Sequence, residues 1–476
     1  MTSRPVYIVH CIDTEGPLHE PLAATFDRLR DIFHLDLEPS EATLRQLQNG
    51  TLDLGGLEAA VQRVVDPHLL AYNDTWDKVD SMLARIMDDG FRKSYPDSAG
   101  EGWVYNWFCV DHVDYDANPR RRDMGYHNVF EHYSGLLKQN PANRDGLHFH
   151  YHPHSFSREA HRSATHWWAN SDSLFQALSR RVIDHMWFPA AHRPGFHVIR
   201  PDSHWFLEQY IPFDFSNQSM ARSNSDAQQF GVADGRFGDW RRAPASWEPY
   251  HPSADDYQVP GECRRWIARC LNVGTRYRVI REQDIRQAFE EAAAGRPVVL
   301  SITNHDFREM APDVDGFRRL LEIVARDFPQ VPFFYSEALS AMRSALEIAP
   351  LPPCELECTI ESVDDSAVVL RVSSTTPTFG PQPWLALKTM SGKYHFDNFD
   401  IDVPFHSWRY VFDQETFELS SLGAIGVAAS NAYGTTTVVR IDPATRTSVT
   451  RHWAQRSGEA NRVTLSDPLS KERCAN

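Results

Sequence analysis

The hydrophobic pattern of the first 347 residues alternates between short apolar runs and helical stripes. Apolar runs typical of buried parallel strands occur at residues 6–12, 103–110, 146–152, 188–196, 297–303 and 331–335. Between them, apolar residues recur at helical spacing around residues 74–89, 171–186, 285–292 and 317–324. This alternation predicts an α/β domain built on a parallel sheet, closed or open.

The pattern changes after a proline-rich stretch at residues 348–354. Beyond it, short runs typical of antiparallel strands follow one another without a convincing helix. We therefore predict an α/β domain over residues 1–347, a linker at 348–354 and an all-β sandwich-like domain over 355–445. Two insertions are expected within the first domain, at 17–72 and 218–280, and a polar tail is expected over 446–476.

Composition narrows the classes of partner. The 48 Lys and Arg against 64 Asp and Glu give a formal charge of −16, opposite in sign to that of a general nucleic-acid or anionic-membrane binder. No run approaches the ~18 apolar residues of a membrane span, and no signal peptide is recognisable. Seven cysteines without a C-x-x-C pair indicate buried reduced thiols, as at Cys11 and Cys109. We expect a soluble, cytoplasmic protein.

Histidine is concentrated in the segment His148-Phe149-His150-Tyr151-His152-Pro153-His154. Alternate side chains of an extended chain point to the same face, so these imidazoles would crowd together. Neutral imidazole is the commonest metal ligand in proteins. Asp13 and Glu15, directly after the first apolar run, would supply a carboxylate. The segment therefore predicts a divalent-metal site, with a solvated histidine-rich loop as the alternative.

Polar residues repeatedly follow the predicted strands. In parallel barrels the active site lies at the carboxyl ends of the strands, so these residues are expected to converge. The residues concerned are Asp13, Glu15, Asp111, His112, His148, His152, Arg193 and His305. We expect Asp111 and His112 to line the substrate cleft together with Asp114 and residues 120–122, and a solvated loop is the alternative for these.

These motifs, in this order, resemble the polysaccharide deacetylase superfamily, the NodB-homology group that includes the family-four carbohydrate esterases. The resemblance covers roughly residues 5–345 and does not extend to the C-terminal β-domain. It implies a distorted (β/α)7-type barrel and a divalent metal, most commonly zinc, that serves to hydrolyse N- or O-acetyl groups on sugars.

The resemblance also implies roles for individual residues. Asp13 matches the family's catalytic base and Glu15 its acidic metal ligand, as a D-x-E variant of the commoner adjacent pair. Arg193, in Arg193-Pro194-Gly195, matches the arginine that orients the base, without the second proline often present there. His305, at the end of an apolar strand, matches the general acid, which needs a pKa near neutrality.

The family's histidine motif, H-x-x-x-H, fits this chain in two ways. His148 and His152 are the preferred pair of metal ligands because Pro153 follows them as a turn residue. His150 and His154 form the alternative pair at the same spacing.

The leading hypothesis is a metal-dependent deacetylase that acts on an acylated amino sugar or glycan precursor, in the context of surface-polysaccharide biosynthesis. Its expected partners are a carbohydrate or other small molecule, with neither nucleic acid nor membrane. Two alternatives are a non-haem iron oxygenase, which uses two histidines and one carboxylate, and a non-catalytic glycan-binding protein.

Overall fold

The structure, a computed structural model, describes residues 2–140, 144–154, 158, 167–168, 171–220, 238–276, 278–363 and 367–453, and the backbone of 463–466. Parts of the predicted 218–280 insertion and of the 446–476 tail lie outside these residues, as does Cys474. Within the described part of the chain, no helix has the length and apolar character needed to cross a membrane. The six cysteines of that part are all free thiols.

Seven parallel strands close into a barrel in chain order. They are β1 (Val6–Thr14), β2 (Tyr105–Cys109), β3 (Gly146–Tyr151), β4 (Ala191–Pro194), β5 (Phe213–Asn217), β6 (Trp266–Asn272) and β7 (Val298–His305). The barrel closes because β1 pairs in parallel with both β2 and β7. An eighth strand, β8 (Phe333–Tyr335), pairs with the first residues of β1. The parallel barrel predicted for this domain is thus present.

Two barrel strands, β5 and β6, were not predicted, and β6 lies inside the stretch expected to be an insertion. Their apolar pattern is interrupted by buried polar residues. Asp214 of β5 lies 3.7 Å from Arg265, and Arg269 of β6 lies 3.4 Å from Asp284. Buried ion pairs of this kind satisfy charges within the fold, and they remove the continuous apolar run by which a buried strand is recognised.

Helices surround the barrel and fill the insertion. In chain order they are α1 (Leu22–Phe33), α2 (Glu41–Asn49), α3 (Glu58–Val64), α4 (Pro67–Leu70), α5 (Trp76–Ile86), α6 (Asp89–Arg92), α7 (Asn128–Gln139), α8 (Ser171–His185), α9 (Pro201–Tyr210), α10 (Glu282–Ala293), α11 (Ala311–Asp327) and α12 (Ala338–Ala345). Helices α5, α8, α10 and α11 coincide with the four predicted helical stripes. Short 3₁₀ turns cover Gly195–His197 and Leu419–Ser421.

Helix α12 closes the amino-terminal end of the barrel. Its residues Ala338 and Met342 pack in one apolar cluster with the inward-facing Val9, Phe108 and Val299. Small alanine side chains let the helix approach the strand ends closely. This end of the barrel is therefore closed, and the barrel opens at the opposite, carboxyl-terminal mouth.

The 17–72 insertion folds as a small helical unit with its own apolar cluster, to which Phe26, Leu29, Leu47 and Val61 contribute. Helix α2 ends at Gly50, whose φ of 65° is a left-handed conformation that glycine adopts without strain. The mixed pattern of this stretch therefore reflects four short helices that pack on one another.

The C-terminal region consists of two antiparallel sheets. Its strands are β9 (Glu357–Ser362), β10 (Val368–Ser373), β11 (Trp384–Thr389), β12 (Tyr394–Asp397), β13 (Asp400–Val403), β14 (Ser407–Phe412), β15 (Leu422–Ser430), β16 (Thr436–Asp442), β17 (Thr447–Trp453) and β18 (Val463–Ser466). The strand orders are β13-β14-β10-β9 and β12-β11-β15-β16-β17-β18. Both sheets contribute to one core, for example through Leu370 and Ile425. Pairing continues past residue 445 into the predicted tail, since β17 and β18 form backbone hydrogen bonds that tolerate polar side chains.

The six-stranded sheet packs directly on α8 of the barrel. A Cβ added at Gly426 of β15 would lie 2.5 Å from Val182 of α8, so only glycine fits there. Ser179 of α8 donates a hydrogen bond to the His395 carbonyl at 3.0 Å and accepts one from the Trp384 indole at 3.3 Å. The β-region and the barrel thus share a continuous interface.

Candidate metal centre

A buried carboxylate, Asp13, lies inside the barrel at its open mouth, one residue before the end of β1. Arg193 of β4 donates from Nε to Asp13 Oδ1 at 2.7 Å and from Nη2 to Asp13 Oδ2 at 3.1 Å. Its Nη1 donates to the Phe215 carbonyl at 2.7 Å. Burial alone would raise the pKa of Asp13, but the Arg193 guanidinium outweighs it and holds the pKa below the ordinary value. Asp13 is therefore ionised at neutral pH.

Glu15 follows β1 and is held at both its side chain and its backbone. Arg122 forms a close ion pair with its carboxylate, and the pKa of Glu15 is held low by Arg122 against the opposing effect of burial. The Asp306 carboxylate accepts hydrogen bonds from the backbone N–H groups of Glu15 and Gly16, each at 2.8 Å. Tyr133 donates to the same carboxylate at 2.8 Å. The turn after β1 is therefore fixed in position.

His150, the inward-facing residue near the end of β3, has one ring nitrogen committed and one unoccupied. Nδ1 lies 2.8 Å from the Arg193 carbonyl, and because a carbonyl only accepts, Nδ1 carries the proton. Among the described residues, the buried Nε2 has no hydrogen-bond partner. Burial lowers the pKa of His150 to about 4, so the ring is neutral at pH 7. This arrangement, with the second nitrogen anchored to a carbonyl, is typical of metal-binding histidines.

His152 lies one residue beyond the end of β3, where the chain has left the strand. Its Nε2 is 3.3 Å from Glu15 Oε1. The ring packs over Gly195, where an added Cβ would lie 2.6 Å from the imidazole. The glycine of the Arg193-Pro194-Gly195 motif thus provides the space that the His152 ring occupies.

Glu15, His150 and His152 form a compact donor set. One ligand atom from each lies within 4.8 Å of the others. Two imidazoles and one carboxylate are a donor set that divalent cations such as zinc accept, with coordination positions left for water and substrate. The unpartnered Nε2 of His150 is the observation that makes these residues fit a cation.

The predicted ligand His148 is placed elsewhere. It lies on the inner face of β3, two residues deeper than His150, and its Nε2 is 3.2 Å from Glu337 Oε1 and 3.3 Å from Asn106 Oδ1. Glu337 is the N-cap of α12 at the closed end of the barrel. The predicted pair His148 and His152 is therefore not the pair beside Glu15, because the strand carries His148 away from the mouth.

The alternative pair is also divided. His150 belongs to the donor set, whereas His154 lies 3.4 Å from Ser173 Oγ of α8 and outside the set. One histidine from each predicted pair thus meets Glu15, and β3 ends between these two histidines, at Tyr151.

Asp111 and His112, predicted to line the substrate cleft, are buried behind the site. Arg181 donates to Asp111 Oδ1 at 2.9 Å. His112 Nε2 donates to the Glu15 carbonyl at 3.0 Å, and burial lowers the pKa of His112 to about 3. Neither side chain is among the described residues that line the cleft. His112 supports the turn that carries Glu15, and Asp111 is paired with Arg181 of α8.

His305, the last residue of β7, faces both carboxylates. Its Nε2 is 3.9 Å from Asp13 Oδ2 and 3.8 Å from Glu15 Oε1, and its ring lies against Phe307. Burial lowers the pKa of His305 to about 4, although Glu15 and Asp13 raise it. This pKa lies below the near-neutral value expected for a general acid.

A cleft opens above the donor set. Its lining includes Asp13, Glu15, His152, His197 and His305, together with six arginines: Arg28, Arg120, Arg122, Arg276, Arg278 and Arg308. The predicted tract at 120–122 thus contributes two of the six. The other four were not predicted, because they are isolated in the sequence and only the fold gathers them. Asp306, which follows His305 directly, and Tyr133 were also missed.

Comparison of this chain with protein-family models, with curated proteins and with solved structures found no match in any of the three.

Proposed function

We propose that this protein is a metal-dependent hydrolase, with zinc as the expected cation, that removes an acetyl or other acyl group from an amino sugar or glycan precursor. The observation that carries the proposal is a donor set of Glu15, His150 and His152 beside an ionised Asp13 held by Arg193. The motif resemblance to polysaccharide deacetylases supports the same reaction class.

Glu15, His150 and His152 would hold the cation. When bound, a divalent cation polarises the acyl carbonyl and makes the attacking water more acidic. Asp13 would then accept a proton from that water as the water oxygen forms a bond to the acyl carbon. Arg193 keeps Asp13 ionised and aligned for this step through two hydrogen bonds.

His305 would complete the proton transfer. It lies 3.9 Å from Asp13, on the cleft side of the site. As the bond between the acyl carbon and the leaving nitrogen or oxygen breaks, the neutral His305 would take up the proton that Asp13 gained from water and pass it to that leaving atom. The proton gained by Asp13 from water balances the one delivered, so the products are a carboxylic acid and a free amine or alcohol.

Metal content is the direct test of the centre. We expect about one equivalent of zinc or a similar divalent ion in the purified protein, and its loss in a His150→Ala/His152→Ala variant. His154→Ala is the matched control, because His154 is in the same segment but lies by Ser173. Failure of the wild type to take up metal on titration, or full retention by the double variant, would overturn the proposed centre.

Acetate release from acetylated amino sugars tests the reaction. Replacing Asp13 by Asn removes the proposed base, and general-base catalysis typically contributes about 10²–10⁴-fold in rate. We therefore expect the Asp13→Asn variant to retain metal while losing hydrolysis by at least about 100-fold. A variant as active as the wild type would show that Asp13 is not the base.

The donor set, considered by itself, also favours a second candidate function. Two histidines and one carboxylate also bind ferrous iron in non-haem oxygenases. The buried pair of Asp13 and Arg193 supports hydrolysis instead, since it supplies a base next to the donor set. Oxygen consumption that requires ferrous iron, together with an absence of acyl release, would favour the oxygenase.

A further inference from the structure

The cleft above the donor set is unusually rich in cations. Six arginines line it, against two carboxylates, Asp13 and Glu15. Each of these carboxylates already has a guanidinium partner, Arg193 for Asp13 and Arg122 for Glu15. Glu15 therefore balances one of the six lining arginines, Arg122, whereas Asp13 is paired with Arg193, which does not line the cleft.

Glu20, behind the cleft wall, accounts for part of the remaining charge. It forms a close ion pair with Arg28 and lies 3.4 Å from Arg120. One carboxylate thus faces two guanidinium groups, and burial lowers the pKa of Arg120 to about 10. Glu20 alone therefore balances one of these two charges.

Arg308 and Arg276 are held by neutral oxygens. Arg308 Nη1 donates to the Gly274 carbonyl at 3.1 Å, while its buried Nε has no hydrogen-bond partner among the described residues. Arg276 donates to the carbonyls of Val64 and Leu69 at 2.8 and 3.1 Å. In the part of the chain that the structure describes, neither forms an ion pair with a carboxylate. Backbone carbonyls thus fix the positions of both guanidinium groups without balancing their positive charge.

The pKa of the Tyr72 phenol reflects the positive electrostatic potential that these arginines create in the cleft. Its ring lies 5.5 Å from the Arg308 guanidinium, and it lines the same cleft. Burial alone would raise the pKa of Tyr72, yet the pKa lies below its ordinary value because of the nearby arginines, Arg308 foremost. The cations outweigh the effect of burial at this point of the cleft.

The charge of the cleft contrasts with that of the whole chain. The protein carries a formal charge of −16, so the arginines are not part of a generally basic surface. Partly buried cations without carboxylate partners cost free energy, which a bound anion offsets. Guanidinium groups match the geometry of carboxylate and phosphate oxygens, and enclosed clefts focus such fields on small ligands.

We propose that the cleft binds a small anion, and that the substrate of the hydrolase proposed above is therefore an acyl compound bearing a carboxylate or phosphate group, which Arg308 and Arg276 bind. The identification of this anion as the substrate rests on the proposed function, whereas the anion site itself rests on the arginines. A neutral acetylated sugar would leave these cations without a partner.

Calorimetric binding of pyrophosphate and of citrate to the full-length, chelator-treated protein tests the site. Removal of metal ensures that the ligands report on the arginines and not on a cation. We expect at least one of the two to bind, with an affinity that falls as salt rises. Preference for pyrophosphate would indicate a phosphate-bearing substrate, and preference for citrate a carboxylate-bearing one. Binding of neither would overturn the anion site.

Arg308→Gln is the decisive variant. Arg308 donates to a single backbone carbonyl, whereas Arg276 donates to two carbonyls of the 17–72 insertion, so replacing Arg276 would also disturb that insertion. Loss of a charge-assisted contact predicts binding about tenfold weaker or more. Arg326→Gln, at a guanidinium on the outer surface of α11 paired with Glu322, is the matched control and should bind as the wild type does. Equal affinity of Arg308→Gln and the wild type, with both proteins folded by circular dichroism, would overturn the assignment.

Failure of the two proposals can be told apart. Anion binding that depends on Arg308, in a protein that releases no acyl group with any metal, would overturn the hydrolase and keep the anion site. Hydrolysis of a phosphorylated or carboxylated acetyl sugar at the same rate as its neutral counterpart, and equally by the wild type and Arg308→Gln, would keep the hydrolase and overturn the anionic substrate.

Discussion

Arg193 and Asp13 are joined by two parallel hydrogen bonds, at 2.7 and 3.1 Å, in the interior of the barrel. Removing the guanidinium leaves a buried carboxylate without its counter-charge. We expect Arg193→Gln to lower the free energy of unfolding by about 3–5 kcal/mol, as measured by urea denaturation. The Asp13→Asn/Arg193→Gln double variant leaves no unpaired charge. Its loss in the free energy of unfolding should therefore be smaller than the sum of the losses in the two single variants. Additive losses would contradict this coupling.

Gly195 provides the space for the His152 ring. In the Gly195→Ala variant the new Cβ would lie 2.6 Å from that ring and displace it from Glu15. We expect metal affinity to fall by about tenfold or more, as observed when the support of a ligand is lost. The measurement is competition for zinc against a chelator. Gly135→Ala, in α7 with no atom near its Cβ position, is the control and should bind zinc normally.

Gly426 permits the contact between the β-region and α8. A Cβ at this position would lie 2.5 Å from Val182, so Gly426→Ala forces the sheet and helix apart. We expect the free energy of unfolding, measured by thermal or urea denaturation, to fall by about 1–3 kcal/mol, as is typical of overpacking. Gly316→Ala, inside α11 with its nearest neighbour at 3.7 Å, should be neutral or stabilising. The opposite order of stability would contradict close packing at Gly426.

Asp184 links α8 to the C-terminal sheet through Tyr394, at 2.8 Å, and Lys388, at 3.3 Å. Burial would raise the pKa of Asp184, but its hydrogen bonds with His127 and Tyr394 lower it to about 2. Because the folded-state pKa lies below the unfolded value of about 3.9, the carboxylate stabilises the fold above that value. This contribution is lost as the pH falls towards 2.

The melting temperatures of the wild type and Asp184→Asn test this linkage. The melting temperature of the wild type should exceed that of the variant most at pH 6, and this difference should shrink between pH 4 and pH 3. A difference that stays constant over this range would show that ionisation of Asp184 does not contribute.

The sequence by itself determined the barrel strands that carry mainly apolar runs and the chemistry at their ends. Strands β1, β2, β3 and β7 follow from local apolar runs, because burial on both faces requires them. The convergence of Asp13, Glu15, Arg193 and His305 follows from one rule, that parallel strands bring their carboxyl ends to the same rim. Both inferences need only local pattern and strand direction.

Only the tertiary structure decided which histidines meet Glu15. The sequence offers His148 with His152 and His150 with His154 at identical spacing, and spacing does not reveal where a strand ends. Because β3 ends at Tyr151, His150 and His152 reach the mouth, while His148 meets Glu337 at the closed end.

The strands β5 and β6 and the arginines of the cleft also depended on the fold. Ion pairs buried on the outer face of β5 and β6 conceal their apolar pattern. Arg28, Arg120 and Arg308 are separated by nearly the whole barrel domain in sequence, and closure of the barrel with its insertion brings them into one cleft. Such long-range convergence leaves no local pattern, because each arginine alone resembles an ordinary solvated residue.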